Sequence, residues 1–415
     1  MENPVFDYFR LDEDSNTILQ KAIKPGVIES NPSFLDFEGI RWLSEKKPDF
    51  SLLNTCWLNL IFEKYLEPRY RISPVGPGLL KKFYYNSKFI IPRYVQLKLQ
   101  KQFVAVRKRS ITFPQWPIDM TMRDLIGYTG RNLLQFLGRQ KVPIISLWPE
   151  GHSWGLGLSH DVETLAGLQR VGSIRDIEMK HFFRSTFLFV PERYRQDCDL
   201  MKSLVSQGCE IAVHGLKHDG KLFWSEQLFE KRRLLIERYA RDWQAVGFRS
   251  PALHRVPEWI ARFDFLYDSS YLDVANFEFQ PGGCLMWYPY RLSDTLIELP
   301  ITVPFDHTVI NLFGDETPDV FIKKMDAVRQ ANGLALLDFH PDYLNSNKRL
   351  DIYNAVLNYA KSHNPWVGTL KEIARWYRDR LDSKVIISDS GQSIDGPAAN
   401  RAKVWWLTGD GLDLS

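Results

Sequence analysis

The stretch SHDVE occupies residues 159–163, directly after the short apolar run 154–158. A second stretch, HGLKH, occupies residues 214–218 and follows the run 210–213. Short, mostly apolar runs that are bounded by turn residues predict buried β-strands. The two stretches therefore predict that carboxylates and imidazoles are presented at the ends of two strands. The predictions of both the fold and the function depend on these two stretches.

These two stretches supply a set of side chains that suits a divalent-metal hydrolase. His214 and His218 are four residues apart, so a turn-like or helical backbone would place both rings on one face, where they can share a metal ion. Asp161 and Glu163 are two residues apart and would point the same way at an extended strand end. From these residues alone, core packing of the histidines and a loop or helix-cap role for the acids stay open.

Strand-like and helix-like segments alternate from about residue 148 onward. The pattern predicts strands at 154–158, 185–190, 210–213, from 248, at 296–303 and at 334–339, and helices at 197–207, 226–246, 317–332 and 350–363. Gly208 and Gly247 are expected to close the first two helices. Such alternation predicts a parallel α/β sheet or barrel. In a barrel of this type the active site lies where the strands end.

Three further polar segments follow predicted strands. Arg249 can hold a carboxylate ionised and oriented. Asp268 can fix the tautomer of a histidine, and His340 can donate a proton to a leaving group. Taken singly, each has an ordinary explanation, as a surface ion pair, a turn residue and a helix N-terminal cap.

The order of the five segments resembles the polysaccharide deacetylase family, the metal-dependent chitin and peptidoglycan N-deacetylases. The acidic pair in 158–163, the His-x-x-x-His in 213–218, the Arg-x-Pro in 249–251, the Asp-Ser at 268–269 and a histidine after an apolar strand, His340, match its five motifs in order. The resemblance covers residues 148–380. Taken together the five motifs are specific, although no single one is.

The resemblance implies an α/β fold, a distorted (β/α) barrel of about seven strands, and a divalent metal that is usually zinc. By position, it implies the metal ligands Glu163, His214 and His218, a general base Asp161 and a general acid His340, with Arg249 holding Asp161 and Asp268 tuning His340. The implied reaction is hydrolysis of an N-acetyl group on an amino-sugar-containing glycan or glycan precursor.

Two residues depart from the family pattern. Glu163 is one methylene longer than the usual aspartate, which could shift the metal position or favour another metal. Asp338 stands two residues before His340 where an apolar residue is usual, and it could bond to His340 itself. Neither change removes a functional group.

We also assign Tyr271, Asp306 and His307 to substrate binding. Tyr271 closes the fourth segment, and the Asp306-His307 pair follows the predicted strand 296–303, so all three could line a pocket at the strand ends. For the Asp-His pair, a capped loop with a satisfied histidine stays open as the alternative.

The rest of the chain gives weaker signals. We expect an N-terminal, mostly helical accessory region (1–147), the barrel (148–382) and a C-terminal tail with a short strand or hairpin (383–415). Within the first part, residues 64–109 hold twelve Lys or Arg, a single acid and interleaved aromatics. This stretch is either a surface for anionic lipid or polyanionic substrate, or a solvated basic helix whose aromatics fill a small core.

Bulk composition bounds the partners and the location. The net charge of +3 gives no reason to expect nucleic-acid binding, and four scattered cysteines predict reduced thiols. The N-terminus shows no secretion signal, so we expect a cytoplasmic protein that can lie peripherally on the inner face of the membrane. A cytoplasmic enzyme would act on a lipid- or nucleotide-linked glycan precursor.

Two alternative functions stay open from the sequence. The first is a hydrolase of the same fold that acts on a non-sugar amide, such as a cyclic ureide, which a narrow pocket would favour. The second is a catalytically silent sugar- or lipid-binding scaffold in which Glu163 marks a lost metal site.

Overall fold

The computed structural model describes residues 8–12, 15, 93–110, 114–280, 282–389 and 391–414. Its strands are β1 (Lys141–Ile145), β2 (Gly155–Val162), β3 (Thr186–Phe189), β4 (Glu210–His214), β5 (Gly247–Arg249), β6 (Tyr267–Asp268), β7 (Tyr290–Arg291), β8 (Ile297–Glu298), β9 (Leu334–Asp338), β10 (Trp366–Gly368), β11 (Lys384–Ser388), β12 (Gly391–Asp395), β13 (Val404–Thr408) and β14 (Gly411–Asp413).

The helices lie mostly between these strands. They are α1 (Arg93–Ser110), α2 (Thr121–Leu137), α3 (Leu165–Leu168), α4 (Val171–Lys180), α5 (Cys198–Ser206), α6 (Glu226–Trp243), α7 (Pro257–Ile260), α8 (Asp319–Gln330), α9 (Asn347–Ser362) and α10 (Leu370–Leu381), with a π-helical segment at His307–Phe313. The side chains of Asp197, Ser225 and Ser346 each accept a hydrogen bond from a backbone N–H of the first turn of the helix that follows. These caps explain where α5, α6 and α9 begin.

Seven parallel strands form the central sheet, in the order β9-β2-β3-β4-β5-β6-β8. β10 runs parallel to the first half of β2 on the same side as β3, and β7 is an antiparallel addition to β8. After β8 the backbone N–H groups of Thr302 and Val303 donate to the carbonyl of Leu336 in β9. These bonds bring the two ends of the sheet together, so the predicted distorted (β/α) barrel of about seven strands is confirmed.

Four strands of the barrel are buried along their whole length, namely β2, β3, β4 and β9. Such strands are covered on both faces, which is why the sequence shows continuous apolar runs rather than strict alternation. Because the strands are parallel, their carboxyl ends meet at one mouth of the barrel, and the predicted polar segments follow those ends.

One predicted helix end is wrong. α6 stops at Trp243, where Gln244 adopts a left-handed conformation and caps it, and Gly247 instead opens β5. A Cβ atom on Gly247 would lie 1.9 Å from Cζ of Tyr267 in the neighbouring strand. Glycine is therefore required there by close strand packing rather than by the end of a helix.

The segments outside the barrel pack against it. β1 pairs in antiparallel fashion with β13, and β13 continues through a turn into β14, while β11 pairs with β12. α1 packs against the π-helical segment. In addition, Arg107 of α1 donates to the backbone carbonyls of Asn276 and Glu278, at 3.1 and 2.8 Å. Most of the basic-aromatic stretch 64–109 and of the region 1–147 lies outside the described residues, and the predicted domain boundaries stay predictions.

Candidate functional site

Three potential metal ligands come together at the carboxyl ends of β2 and β4. One ligand atom each from Glu163, His214 and His218 lies within 4.8 Å of the others. Oε1 of Glu163 is 2.9 Å from Nε2 of His218, and the two imidazole rings are 5.0 Å apart between their centroids. The segment between the histidines is a tight turn in which Gly215 and His218 both have positive φ angles, of 61° and 52°. This turn, and not a helix, brings the two rings together.

The surroundings of His214 fix which of its nitrogens can bind a ligand. Nδ1 lies 3.2 Å from the backbone carbonyl of Arg249 and therefore carries the proton that it donates there. Burial and the nearby His218 hold the pKa of His214 well below its usual value, so the ring is neutral. Its Nε2 then carries a free lone pair, as a metal ligand must.

The three residues pass a chemical test for holding a divalent ion. Among the described residues, Nε2 of His214 and Nδ1 of His218 are buried without a hydrogen bond, while Nε2 of His218 lies against Oε1 of Glu163. Buried polar atoms normally have a partner, so these orphaned nitrogens call for one. Two imidazoles and one carboxylate are a typical catalytic zinc donor set that leaves a position open for water or substrate. The residues present therefore fit the implied metal.

A second group of potential ligands, Asp161, Asp338 and His340, lies close by. Nη1 of Arg249 reaches Oδ1 of Asp161 at 2.9 Å and Oδ1 of Asp338 at 2.8 Å. A cation between these carboxylates would face the buried guanidinium at short range. The first group is therefore the better metal site, and the second is an ion-paired support next to it.

Arg249 is the hub of that support. It is fully buried, and its Nη2 donates to the hydroxyls of Ser159 and Ser269 at 2.9 and 3.0 Å, while Nε donates to the carbonyl of Ser269. Burial opposes the charge, but Asp161 and Asp338 outweigh it, so the pKa of Arg249 is raised. The structure thus places Arg249 against Asp161, where the resemblance put it.

His340 is held by a different aspartate from the one that the resemblance implied. Nδ1 of His340 lies 2.8 Å from Oδ1 of Asp306, and Oδ2 of Asp306 accepts from the backbone N–H of His340 at 2.7 Å. Asp306 follows the segment that bonds to β9, so it lies beside His340, whereas Asp268 ends β6 one strand further away. The predicted tuning of His340 by Asp268 is therefore wrong.

Asp268 has another partner. It accepts from the hydroxyl of Ser270 at 2.7 Å and lies next to Glu298. Burial and the adjacent Asp268 raise the pKa of Glu298 well above its usual value. A protonated Glu298 can share its proton with Asp268, and this buried pair belongs to the barrel wall rather than to the mouth.

The three predicted substrate contacts separate in the structure. His307 lines the cavity at the barrel mouth and stacks on Tyr343, with ring centroids 5.2 Å apart. Asp306 is buried behind His340 instead of facing the cavity. Tyr271 is also buried, with the guanidinium of Arg255 4.6 Å from its ring centroid, and it does not line this cavity, so its predicted substrate contact is wrong.

Sequence reasoning missed the role of His160, although it lies in the opening motif. Its Nδ1 is 2.6 Å from the carbonyl of Phe339, the residue before His340, and its Nε2 is 2.7 Å from Oε1 of Glu178. Glu178 also accepts from the hydroxyls of Tyr353 and Ser185, at 2.5 and 2.6 Å. Glu178 outweighs the cost of burial and raises the pKa of His160. The buried charged pair of His160 and Glu178 therefore supports the loop that carries His340. In the sequence, this role is indicated only by the position of His160 directly before Asp161.

The site opens into a cavity of about 1160 Å³. Asp161, Glu163, His218 and His340 line its floor, and Leu97 and Gln100 of α1 contribute to its wall. The cavity is larger than the roughly 300–1,000 Å³ that is usual for small-molecule sites. It can therefore hold a ligand larger than one sugar ring beside the candidate metal ligands.

No known family profile matches the chain, and no curated protein matches it either. Solved structures match part of it. A "putative polysaccharide deacetylase from Mycobacterium smegmatis" is 21% identical over 56% of this chain and 92% of that chain, with a TM-score of 0.45. A "probable Polysaccharide deacetylase from Pseudomonas aeruginosa PAO1" is 16% identical over 57% and 94%, with a TM-score of 0.46. "Puue Allantoinase" is 16% identical over 56% and 93%, with a TM-score of 0.45.

Polysaccharide deacetylases are thus among the structural neighbours, in agreement with the predicted resemblance. An allantoinase is also among these neighbours, with a similar sequence identity and TM-score. A fold of this kind does not by itself determine the substrate.

Proposed function

We propose that this protein is a metal-dependent hydrolase that removes N-acetyl or related acyl groups from an amino-sugar-containing glycan or glycan precursor. The observation that supports it is the meeting of a Glu163–His214–His218 donor set with Asp161 and His340; of these five residues, all but the buried His214 line one cavity. Each of these residues has a separate role in amide hydrolysis, and they come from three strand ends of the barrel.

The donor set would hold a divalent ion, with zinc as the expected metal. A bound ion of this kind polarises the amide carbonyl and makes an attacking water more acidic. Asp161 lies 3.4 Å from Nε2 of His214 and is kept in place by Arg249, so it can accept the proton of the attacking water.

His340 is placed to protonate the departing amine. Asp306 fixes its Nδ1–H, and the opposite nitrogen, Nε2, lies 3.7 Å from Oε1 of Glu163. Burial opposes protonation of the ring, but Asp306 and Asp338 outweigh it and raise the pKa of His340 well above its usual value. The ring can therefore carry the proton that the leaving amino group requires, and the products are an amino sugar and acetate.

The size of the cavity bears on the alternative of a small non-sugar amide. A cyclic ureide fills only a small part of about 1160 Å³. The aromatic residues that line the cavity, among them Phe279, Phe305 and Tyr343, offer faces on which sugar rings can stack. Both features favour a glycan.

We test the proposal first by elemental analysis of the purified wild type beside Glu163→Ala and His214→Ala, with His363→Ala as the matched control. His363 lies at the end of α9 and is not part of the cavity wall. Wild type and the control should carry about one divalent ion per chain, and the two site variants should carry much less. Equal metal content in all four proteins would remove the site assignment.

The second test is release of acetate from N-acetylated sugars by the metal-loaded wild type. Activity on these sugars but not on cyclic ureides supports the proposal that the substrate is a glycan. A protein that binds its metal and hydrolyses a cyclic ureide but releases no acetate from N-acetylated sugars would instead be a hydrolase of a non-sugar amide, whereas a protein that binds no metal would be the silent binding scaffold.

The proposal also includes a cytoplasmic location, a lipid- or nucleotide-linked precursor as substrate, and peripheral membrane contact through the basic-aromatic stretch. In its described part, α1 exposes Lys98 and Lys101 beside Leu99 and Val106, whose exposed fractions are 48% and 66%. Basic and apolar side chains on one exposed helix suit an anionic lipid surface. No described helix is both long enough and apolar enough to cross a bilayer.

Flotation with vesicles that contain anionic lipid tests this contact. The wild type should co-float at low salt, and a Lys98→Glu/Lys101→Glu variant should co-float less, since each basic side chain near such a surface contributes about 1 kcal/mol. Failure of the wild type to co-float at low salt would end this part of the proposal.

A further inference from the structure

The cavity wall is chemically divided along the order of the barrel strands. The loops after β2, β3 and β4, which are neighbours in the sheet, place Arg170, Arg193, Lys217 and Lys221 in the wall. We call these four residues the basic arc. The loops after β6, β8 and β9 supply the aromatic side of the wall, with Phe279, Phe305, His307 and Tyr343.

Two members of the basic arc, Lys217 and Arg193, form ion pairs, and Nζ of Lys221 lies 4.8 Å from the ring centroid of Trp224. Lys217 is 3.3 Å from Glu192 and half exposed, and Arg193 is 3.9 Å from Oε2 of Glu163. The Lys217 pair is exposed and the Arg193 pair is long, so both contribute little and a ligand can replace them. Arg170 has a backbone partner, the carbonyl of Ala166.

Two further carboxylates that line the cavity, Asp219 and Asp342, have partners of their own. Both oxygens of Asp219 are bound by Arg232 at 2.7 Å, and Arg232 does not line this cavity. Asp342 accepts from the hydroxyl of Thr164 and from the backbone N–H of Glu163. Asp161 and Glu163 face the proposed divalent ion, whose charge offsets theirs. The basic arc therefore places four cationic side chains beside the reaction site.

We infer that the substrate carries a phosphate-type anion that binds the basic arc while its acylated sugar lies on the aromatic side next to His340. This inference rests on the proposed function. Four cations on three loops exceed what one carboxylate can pair with, whereas a phosphate or diphosphate ester offers more charge and more acceptor oxygens. A nucleotide-linked and a lipid-linked sugar share this chemistry.

The kinetic test compares N-acetylglucosamine 1-phosphate with the neutral methyl glycoside of the same sugar. We expect kcat/KM of the metal-loaded wild type to be about tenfold higher for the phosphate, which corresponds to about 1.4 kcal/mol, mainly through a lower KM. In Lys217→Gln/Lys221→Gln this ratio should fall toward one. A wild-type ratio near one, or an unchanged ratio in the variant, would overturn the inference.

Two further variants separate charge from structure. Lys217→Arg/Lys221→Arg keeps the charge and should keep most of the ratio. Lys202→Gln/Lys231→Gln removes the same charge from exposed positions outside the cavity wall and should leave both the ratio and the activity unchanged. An equal loss in this control would show that the effect is one of overall charge and would overturn the inference.

Calorimetric titration with inorganic diphosphate tests the basic arc without any turnover. The wild type and the Lys202→Gln/Lys231→Gln control should bind it alike, and Lys217→Gln/Lys221→Gln about tenfold more weakly. Equal binding by all three proteins overturns the basic arc as an anion site, whatever the enzyme does. If neither sugar is deacetylated but the variant still binds diphosphate more weakly, the proposed function fails and the anion site stands.

A last pair of assays distinguishes the two sources of the anion. A nucleotide-diphosphate-linked N-acetylated sugar is offered in solution, and a lipid-diphosphate-linked one in micelles. A KM below that of the neutral glycoside for either compound supports the inference and identifies the linkage. A KM no lower than that of the neutral glycoside for both compounds counts against it.

Discussion

Replacing Arg249 with methionine is expected to destabilise the fold strongly. The guanidinium is fully buried and makes contacts of 2.8–3.0 Å with two carboxylates, two hydroxyls and one carbonyl. Methionine fills much of the same volume but leaves Asp161 and Asp338 buried together without a counter-charge. Removal of one partner from a buried ion pair costs about 3–5 kcal/mol, and we expect a loss in that range from the free energy of unfolding.

Urea denaturation of wild type and Arg249→Met, followed by tryptophan fluorescence, measures this loss. Burial and Asp161 already raise the pKa of Asp338 in the wild type, against the effect of Arg249. Without the arginine that pKa rises further, so protonation relieves the repulsion and the deficit should shrink as the pH is lowered. The double variant Arg249→Met/Asp338→Asn should recover part of the stability at neutral pH. A single-variant loss below about 1 kcal/mol, typical of an exposed pair, would refute the reasoning.

Three other substitutions test separate parts of the structure. Asp306→Asn removes the carboxylate that favours the charged form of the proposed general acid, so the alkaline limb of the pH–rate profile should move to lower pH. The pKa of Glu298 is raised in the fold, so the stability that this residue contributes is present at low pH and is lost as the pH rises above the pKa of Glu298 in the unfolded chain. In urea titrations between about pH 5 and 8, the free energy of unfolding of Glu298→Gln should therefore increase relative to that of the wild type as the pH rises. Gly247→Ala puts a Cβ atom into the ring of Tyr267 and should cost about 1–3 kcal/mol, whereas Gly172→Ala, where nothing lies within 4 Å, should not destabilise.

The parts of the fold and site that the sequence predicts are those that depend on one strand and the residues directly after it. Asp161, Glu163, His214, Arg249 and His340 all lie at or just beyond the carboxyl end of a buried strand. Parallel strands bring such residues to one mouth, so their meeting follows from the alternation of strands and helices alone.

The predictions that failed depend on which strands become neighbours. Asp268 and Asp306 are both aspartates at the end of an apolar segment, and nothing local tells which one reaches His340. The answer comes from the order β6-β8-β9, in which the segment before Asp306 bonds directly to β9. Tyr271 follows a strand end as the site residues do, but its ring is buried against Arg255. Spacing along a chain does not carry this information, because it is fixed by tertiary packing.

Glu163 is the departure on which the silent-scaffold alternative depends, and the structure weakens that alternative. The extra methylene matters only if it carries the carboxylate past the histidines. Oε1 is 2.9 Å from Nε2 of His218, and one ligand atom from each of the three residues lies within 4.8 Å of the others. Ligand atoms around a tetrahedral zinc, with bonds of about 2.0–2.1 Å, are about 3.3 Å apart. Side-chain rotations that move these ligand atoms by about 1 Å would bring all three to bonding distance of one ion. The longer acid therefore still reaches the position where a ligand is needed. The loss of an aspartate from the motif is therefore not by itself the loss of the site.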